Sequence, residues 1–309
     1  MPVDATKIHQ GPGVIWLGVK VPQAGKRLVI DANGNPTETG TVPTPPAPIL
    51  SSVPGGTLTA QTPFVKVTYV NPSGETDASP EASSNVAANN YLVVQSPPPA
   101  ANAIGWNVYA SETAGTEVLQ NAAPIPIGQN WTQSGALATG TAAPPATNST
   151  TAVYGGAIDG ATTFALEPKL SPIKADQIFG AIDYRPVDAD GMIEVTLEET
   201  NLEKLNFMLP GSSYSTGTDT ALPPGFQNYH QLTYGGLFLA PGVSVAVISP
   251  RTNYPGKFVV AQLYKAIVTK PPQLAFSKEK PTLAKITMNA IADPTRPAGD
   301  QLGSIYWQI

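Results

Sequence analysis

The clearest strand in the sequence is Met192-Ile193-Glu194-Val195-Thr196-Leu197-Glu198, in which apolar and polar residues alternate. Successive side chains of a strand point to opposite faces, so an alternation at period two indicates a half-buried strand. Ile193, Val195 and Leu197 are therefore predicted to face a core.

The one helix that the sequence predicts follows this strand at once. Thr200-Asn201-Leu202-Glu203 fits a capping box, in which Thr200 caps the amide of Glu203 and the Glu203 side chain returns a hydrogen bond. Pro210-Gly211 is predicted to end the helix. The apolar stripe at helical spacing consists of Leu202, Leu205, Met208 and Leu209.

A block of different composition interrupts the chain upstream of this strand-helix unit. It opens with Val42-Pro43-Thr44-Pro45-Pro46-Ala47-Pro48 and closes with Ala143-Pro144-Pro145-Ala146-Thr147-Asn148. Charged residues are far denser in the flanks, which hold 16 of the 17 basic and 17 of the 22 acidic residues. A proline-bounded shift of this kind predicts a domain boundary. We therefore predict an inserted domain at 42–148 and a host domain formed by 1–41 and 149–309.

Short strands fill the block. Phe64 to Val70, Tyr91 to Gln95 and Gly105 to Ala110 are rich in β-branched and aromatic residues, and several such strands in about a hundred residues predict a β-sandwich. Asn71 to Thr76 is a predicted turn in which Gly74 supplies a positive φ. On the third strand, Trp106 is predicted to be buried and Tyr109 partly exposed. Shorter candidates are Glu117 to Gln120, Ile125 to Gly128 and Asn130 to Thr132.

The host is also predicted to be β-rich. Val14 to Val19 and Arg27 to Ile30 are predicted to form an early hairpin, followed by a turn at Asn33-Gly34. The 18-residue stretch Gly211 to Asn228 has no periodicity and is predicted to be a long loop. Further predicted strands are Thr162 to Leu166, Ile173 to Asp176, Tyr229 to Tyr234, Gly236 to Ala240, Val243 to Ser249, Lys257 to Thr269 and Leu283 to Ala292.

The composition excludes several classes of protein. With 28 Gly and 33 Pro among 309 residues, turns and short strands are favoured over helices. Cysteine is absent, which excludes disulfides and thiolate sites. A net charge of −5 argues against a surface that grips nucleic acid. We also expect neither a signal peptide nor a membrane span, because the sequence has no apolar run long enough.

The signals for catalysis are weak, and we predict no enzyme, no cofactor and no catalytic or metal-binding residue. The chain has two histidines, His9 and His230, for which ordinary hydrogen bonding is the simpler role. Asp188-Ala189-Asp190-Gly191 lacks the later ligands of a calcium loop and is interpreted as a turn. Glu198-Glu199 lies at the start of the predicted helix, where the helix dipole favours negative charge.

Two family resemblances add to these predictions. Val65 to Thr76, Gly105 to Tyr109 and Pro124 to Gly128 give the block a pattern similar to the immunoglobulin-like, fibronectin type III-like domains of tailed-phage virion proteins. The resemblance implies a role as an inert spacer or in weak contact with glycans or cell surfaces.

The host resembles the major tail tube proteins of long-tailed phages. The residues that carry this likeness are Phe164 to Pro168, Ile173 to Gln177, Glu194 to Pro210, Leu274 to Pro281, Ile286 to Asp293 and Gly303 to Trp307. By resemblance the fold is a twisted β-sandwich closing toward a barrel, with one helix on its side.

The same resemblance implies the partners. Copies of the chain would form rings, six to a ring, that stack into a tube in the virion tail after synthesis in the host cytoplasm. The tape measure, tail terminator and distal tail proteins would be further partners, and DNA would pass through without specific binding. Glu194 and Glu198, or Asp176 and Asp183, are candidates to face the lumen.

Three segments are candidates for contacts between copies: Met1 to Gly13, Gly211 to Asn228 and Pro294 to Ile309. Deletion of Val42 to Asn148 is expected to leave assembly intact. The alternatives are a carbohydrate-binding or adhesion protein, and an enzyme of glycan metabolism with paired carboxylates.

Overall fold

The structure, a computed structural model, describes residues 13–140, 142–160, 162–174, 181–198, 201–209, 211–235, 242–274 and 284–309. Over these ranges the chain is almost entirely β, with several antiparallel sheets and one helix, as predicted. Several predictions lie outside the described residues: the N-terminal arm up to residue 12 with His9, the strand Gly236 to Ala240, and Asp176, Glu199 and Thr200.

The elements are numbered in chain order. Up to residue 140 the strands are β1 (Val14–Leu17), β2 (Leu50–Pro54), β3 (Phe64–Asn71), β4 (Gly74–Glu75), β5 (Ala82–Ser83), β6 (Asn90–Val94), β7 (Gly105–Ser111), β8 (Val118–Leu119), β9 (Ile125–Pro126) and β10 (Trp131–Gln133). Later elements are β11 (Val153–Ala157), β12 (Thr163–Lys174), β13 (Ala181–Leu197), α1 (Leu202–Met208), β14 (Ser212–Thr218), β15 (Asn228–Tyr234), β16 (Val243–Pro250), β17 (Phe258–Leu274), β18 (Ala284–Ala290) and β19 (Gly303–Trp307).

The main sheet has the strand order β11-β1-β16-β17-β18-β13-β12 and is antiparallel throughout. On one edge of β17, β19 pairs with the first part and β18 with the second. The strand β17 therefore joins two parts of the sheet and fixes where the C-terminal strand lies.

Both faces of the sheet are covered where β1, β16 and the first part of β17 lie side by side. Ile15, Leu17 and Leu263 belong to one buried cluster, together with Phe207 and Met208 of α1. The alternate residues of the same strands, such as Ala246, Ile248 and Val260, form a second cluster with Val19 and Leu28. Ile193, Val195 and Leu197 are buried in the first cluster, which confirms the prediction for this strand.

The helix is shorter than predicted and differently capped. Asn201 is the N-cap, and its side chain accepts a hydrogen bond of 2.7 Å from the amide of Lys204. The predicted stripe omitted Phe207, which is buried together with Leu205 and Met208, whereas Leu202 and Leu209 are only half-buried. Seven residues make just two turns, so the tertiary contacts decide which side chains are covered.

In the block, β2 to β10 pair with one another and enclose a separate buried cluster. Trp106 is buried there as predicted, but the prediction that Tyr109 is partly exposed is wrong. The Tyr109 hydroxyl donates a 2.7 Å hydrogen bond to Glu75, which also accepts 2.9 Å from Asn107. The short strand β4 thus places a carboxylate over the second face of β7, and burial, followed by this carboxylate, raises the pKa of Tyr109.

The Asn71 turn forms as predicted, with the Asn71 side chain accepting from the amides of Ser73 and Gly74. Gly74, however, does not have a positive φ. A Cβ there would lie 2.6 Å from Oγ of Ser149, so the glycine permits a close approach between two segments.

Three predictions for the host are wrong. The early hairpin does not form, because β1 pairs with β11 and β16, and Ile30 makes one bridge to Pro36 around the Asp31 turn. Asp188 to Gly191 is an interior part of β13 and not a turn. Gly211 to Asn228 is not a structureless loop, because β14 pairs with β15 from Ser212 onward.

Candidate assembly surface

The hairpin of β12 and β13, called the long hairpin below, projects beyond the main sheet. Pairing between β13 and β18 begins at Met192, so residues 181–191 of β13 pair with β12 alone among the described strands. At about 3.4 Å per residue, this part of the hairpin is roughly 35 Å long. A two-stranded ribbon is marginally stable by itself in water.

One face of the long hairpin is apolar and continues the buried core. Residues opposite one another in an antiparallel pair share a face. Phe164 packs against the core opposite Ile193, and the same face continues through Leu166 and Leu170 to Tyr184, which lies opposite Pro172. The exposed fraction is 42% for Leu166, 52% for Leu170 and 58% for Tyr184. The core face therefore runs out into solvent without a cover from the described residues.

The opposite face of the long hairpin is mostly charged. Lys169 lies between Asp190 at 2.7 Å and Asp188 at 3.4 Å. Its hydrogen bonds to Asp190 and then Asp188 raise the pKa of Lys169. The pKa of Asp188 is lowered, first by the amide of Ala189 and then by Lys169. Since all three groups are exposed, the ion pairs add little stability. Their charges nevertheless make this face of the long hairpin compatible with contact with water.

A cleft of about 480 Å³ lies at the root of the long hairpin. One side is lined by Leu166, Pro168 and residues 188–190, and the other by Ala292, Gly299 and residues 301–303. Large exposed apolar surfaces next to a cleft are typical of protein–protein contact sites.

A second hairpin, formed by β14 and β15, is attached to α1 and also exposes apolar groups. Tyr234 is 73% exposed, and Phe226 at the tip is 75% exposed. The tip is ordered by hydrogen bonds from the amides of Ala221 and Leu222 to Asp219. His230 is hydrogen-bonded at 2.5 Å to the Tyr214 hydroxyl, an ordinary structural role.

The C-terminal segment, a predicted contact region, is part of the sheet. Tyr306 is held against the sheet by a 2.8 Å hydrogen bond from its hydroxyl to the carbonyl of Leu28. Burial raises the pKa of Tyr306 to about 12. The alternate residues Ile305 and Trp307 are exposed on the other face of β19. This segment thus adds an apolar strip that the sheet holds in place.

Of the residues proposed to face a lumen, the structure describes Glu194, Glu198 and Asp183, and their orientation toward a lumen stays a prediction. Glu194 forms a 2.7 Å ion pair with Lys285, and this hydrogen bond lowers the pKa of Glu194. Asp183 and Glu198 are exposed at opposite ends of β13. Within the described residues no group of three potential ligands could hold a metal ion, and no described helix is long and apolar enough to cross a membrane.

Sequence reasoning missed the long hairpin as a site, although a signal for it existed. Residues 166–172 alternate between Leu or Pro and polar residues, with Leu166, Pro168, Leu170 and Pro172 on one face. The pattern was hidden because the prolines favour a turn when the sequence is considered alone.

Comparison with known proteins does not assign this chain to a family. The sequence matches no known protein family, and no curated protein shows significant similarity to it.

Proposed function

We propose that this chain is a structural protein that assembles with copies of itself, and specifically a tail tube subunit of a long-tailed phage. The observation that supports assembly is the long hairpin, whose apolar face continues the core and is exposed at Leu166, Leu170 and Tyr184. A second copy covering this face would remove apolar surface from water, and each Å² removed contributes about 25 cal/mol.

The edges of the main sheet support the same proposal. The outer strand β12 has no second partner strand among the described residues, whereas the end of the other outer strand, β11, is bonded to the end of β13 through Ala157 and Glu198. Unpaired edges favour pairing with another chain, and head-to-tail contacts that do not close on themselves produce an open stack. The number of six copies per ring and the tape measure, terminator and distal tail partners come from the family resemblance alone.

A channel for DNA is the use proposed for such a stack, with the block pointing outward. The chain has a net charge of −5, and scattered carboxylates on an inner wall would repel DNA and let it slide. The adhesion alternative has weaker support, because Tyr69, Trp106 and Tyr109 of the block are buried and cannot form an aromatic platform.

The test of assembly uses two neighbouring residues on opposite faces of β12. Leu170→Asp places a charge on the apolar face, and Ser171→Asp is the matched control on the polar face. We expect wild type and Ser171→Asp to form rings or tubes in electron microscopy, and Leu170→Asp to remain monomeric in analytical ultracentrifugation. Monomeric wild-type protein under all concentrations and salts, or tubes of Leu170→Asp, would contradict the proposal.

A further inference from the structure

The ends of the block are joined by hydrogen bonds where they meet the host. The amide of Gly40 donates 2.7 Å to the carbonyl of Thr150, and the Asn148 side chain donates 2.7 Å to the carbonyl of Val42. Val42 and Thr150 are fully buried. The two crossing segments are therefore a paired stem and not two independent linkers.

A second contact, far from the stem in sequence, fastens a loop of the block to the host. Asn102 is buried and has a left-handed backbone with φ of 67°. Its Oδ1 accepts 2.8 Å from the amide and 3.1 Å from the hydroxyl of Ser244, and its Nδ2 donates 3.0 Å to the carbonyl of Thr41. The Asn102 amide donates 3.1 Å to the carbonyl of Gly242. One residue thus links the block, the stem and the start of β16.

The host side of this contact continues to the helix. The Gly18 amide donates 2.7 Å to the carbonyl of Ser244, and the Ser244 hydroxyl donates to the carbonyl of Val19. Gly18 has φ of +63°, and a Cβ there would lie 2.7 Å from the Phe207 ring of α1. Next to Asn102, Ile104 packs against the host core.

We infer that Asn102 is a clamp that fixes the block rigidly to the host and holds the beginning of β16 in register with β1. Every copy of the chain then carries its block in the same orientation. Deletion of Val42 to Asn148 is expected to expose the buried amide and hydroxyl of Ser244 and to loosen the host, contrary to the expectation from the sequence.

Hydrogen exchange measured by mass spectrometry tests the clamp in the full chain. Asn102→Gly keeps the left-handed backbone and removes the side chain. Asn89→Gly is the matched control, because Asn89 has φ of 64° and is exposed in the block. We expect exchange at residues 243–246 to be at least about tenfold faster in Asn102→Gly and unchanged in Asn89→Gly.

A reference region measured in the same sample separates the clamp from a general loss of folding. Residues 106–110 of β7 lie in the buried core of the block, and their exchange is expected to be unchanged in Asn102→Gly. Unchanged exchange at residues 243–246 in Asn102→Gly, an equal change in Asn89→Gly, or an equal acceleration at residues 106–110 would overturn the clamp. None of these outcomes depends on tube formation.

Discussion

Leu205 lies on the buried side of α1 and is 3% exposed. Leu205→Asp places a carboxylate without a partner in this site, and we expect a loss of more than about 3 kcal/mol in the free energy of unfolding. Urea denaturation followed by circular dichroism measures the change. Glu203→Asp, an exposed change in the same helix, should stay within about 0.5 kcal/mol of wild type, and similar midpoints for both variants would contradict the burial of Leu205.

Asp300 accepts hydrogen bonds of 2.6 Å from the Tyr264 hydroxyl and 2.7 Å from Arg296, which also bonds the carbonyl of Pro22. Tyr264 and then Arg296 lower the pKa of Asp300 in the folded protein. A lowered carboxyl pKa contributes stability above the unfolded value of about 3.9, and this stability is lost as pH falls through the folded value.

Asp300→Asn should therefore lower the melting temperature at pH 6, and the gap to wild type should close as pH falls below about 3.9. Thermal unfolding of both proteins across this range measures the gap. Asp159→Asn, a change of an exposed carboxylate, serves as the control. A gap that is constant with pH would show that the Asp300 charge does not contribute.

At the scale of elements, the cap of α1 makes a direct prediction. Asn201→Ala removes the acceptor for the Lys204 amide and should lower the free energy of unfolding by about 1 kcal/mol. Asn201→Ser keeps a capping oxygen and should retain most of the wild-type stability. Chemical denaturation measures both. Equal losses in the two variants would indicate that another residue caps the helix.

Strands with strong alternation were predictable, and those with mixed signals were not. The strand 192–198 follows from local pattern alone, because its buried residues recur at period two. The β3 and β7 strands of the block follow from their β-branched and aromatic residues, although β7 is buried on both faces. In the second hairpin, β15 was predicted as the strand Tyr229 to Tyr234, but β14 was missed because its Ser, Thr and Gly residues are typical of loops. Its strand register is fixed by cross-strand partners, such as Tyr229 opposite Gly217.

At the scale of the whole molecule, assembly should make thermal stability depend on protein concentration. Binding between folded copies stabilises the folded state by mass action, by up to about 2.7 kcal/mol when the concentration is 100 times the dissociation constant. We expect the melting temperature of wild type to rise with protein concentration and that of Leu170→Asp to stay constant. Differential scanning calorimetry over a hundredfold range measures this. Parallel behaviour of the two proteins would argue against the long hairpin as the contact.

The sequence alone determined the all-β class, the single helix and the apolar faces of its strongest strands, since these depend on residue spacing along the chain. The proline-bounded block is likewise visible in the sequence, and its division from the host stays a prediction. Only the tertiary structure decided that Asn102 meets Ser244 and that the apolar face of the long hairpin runs beyond the core. Both depend on which distant segments pair and where pairing stops, and local pattern does not specify this. Asn102 and Ser244 are 142 residues apart in the chain, and the pairing of β13 with the distant β18 begins only at Met192 opposite Asn289.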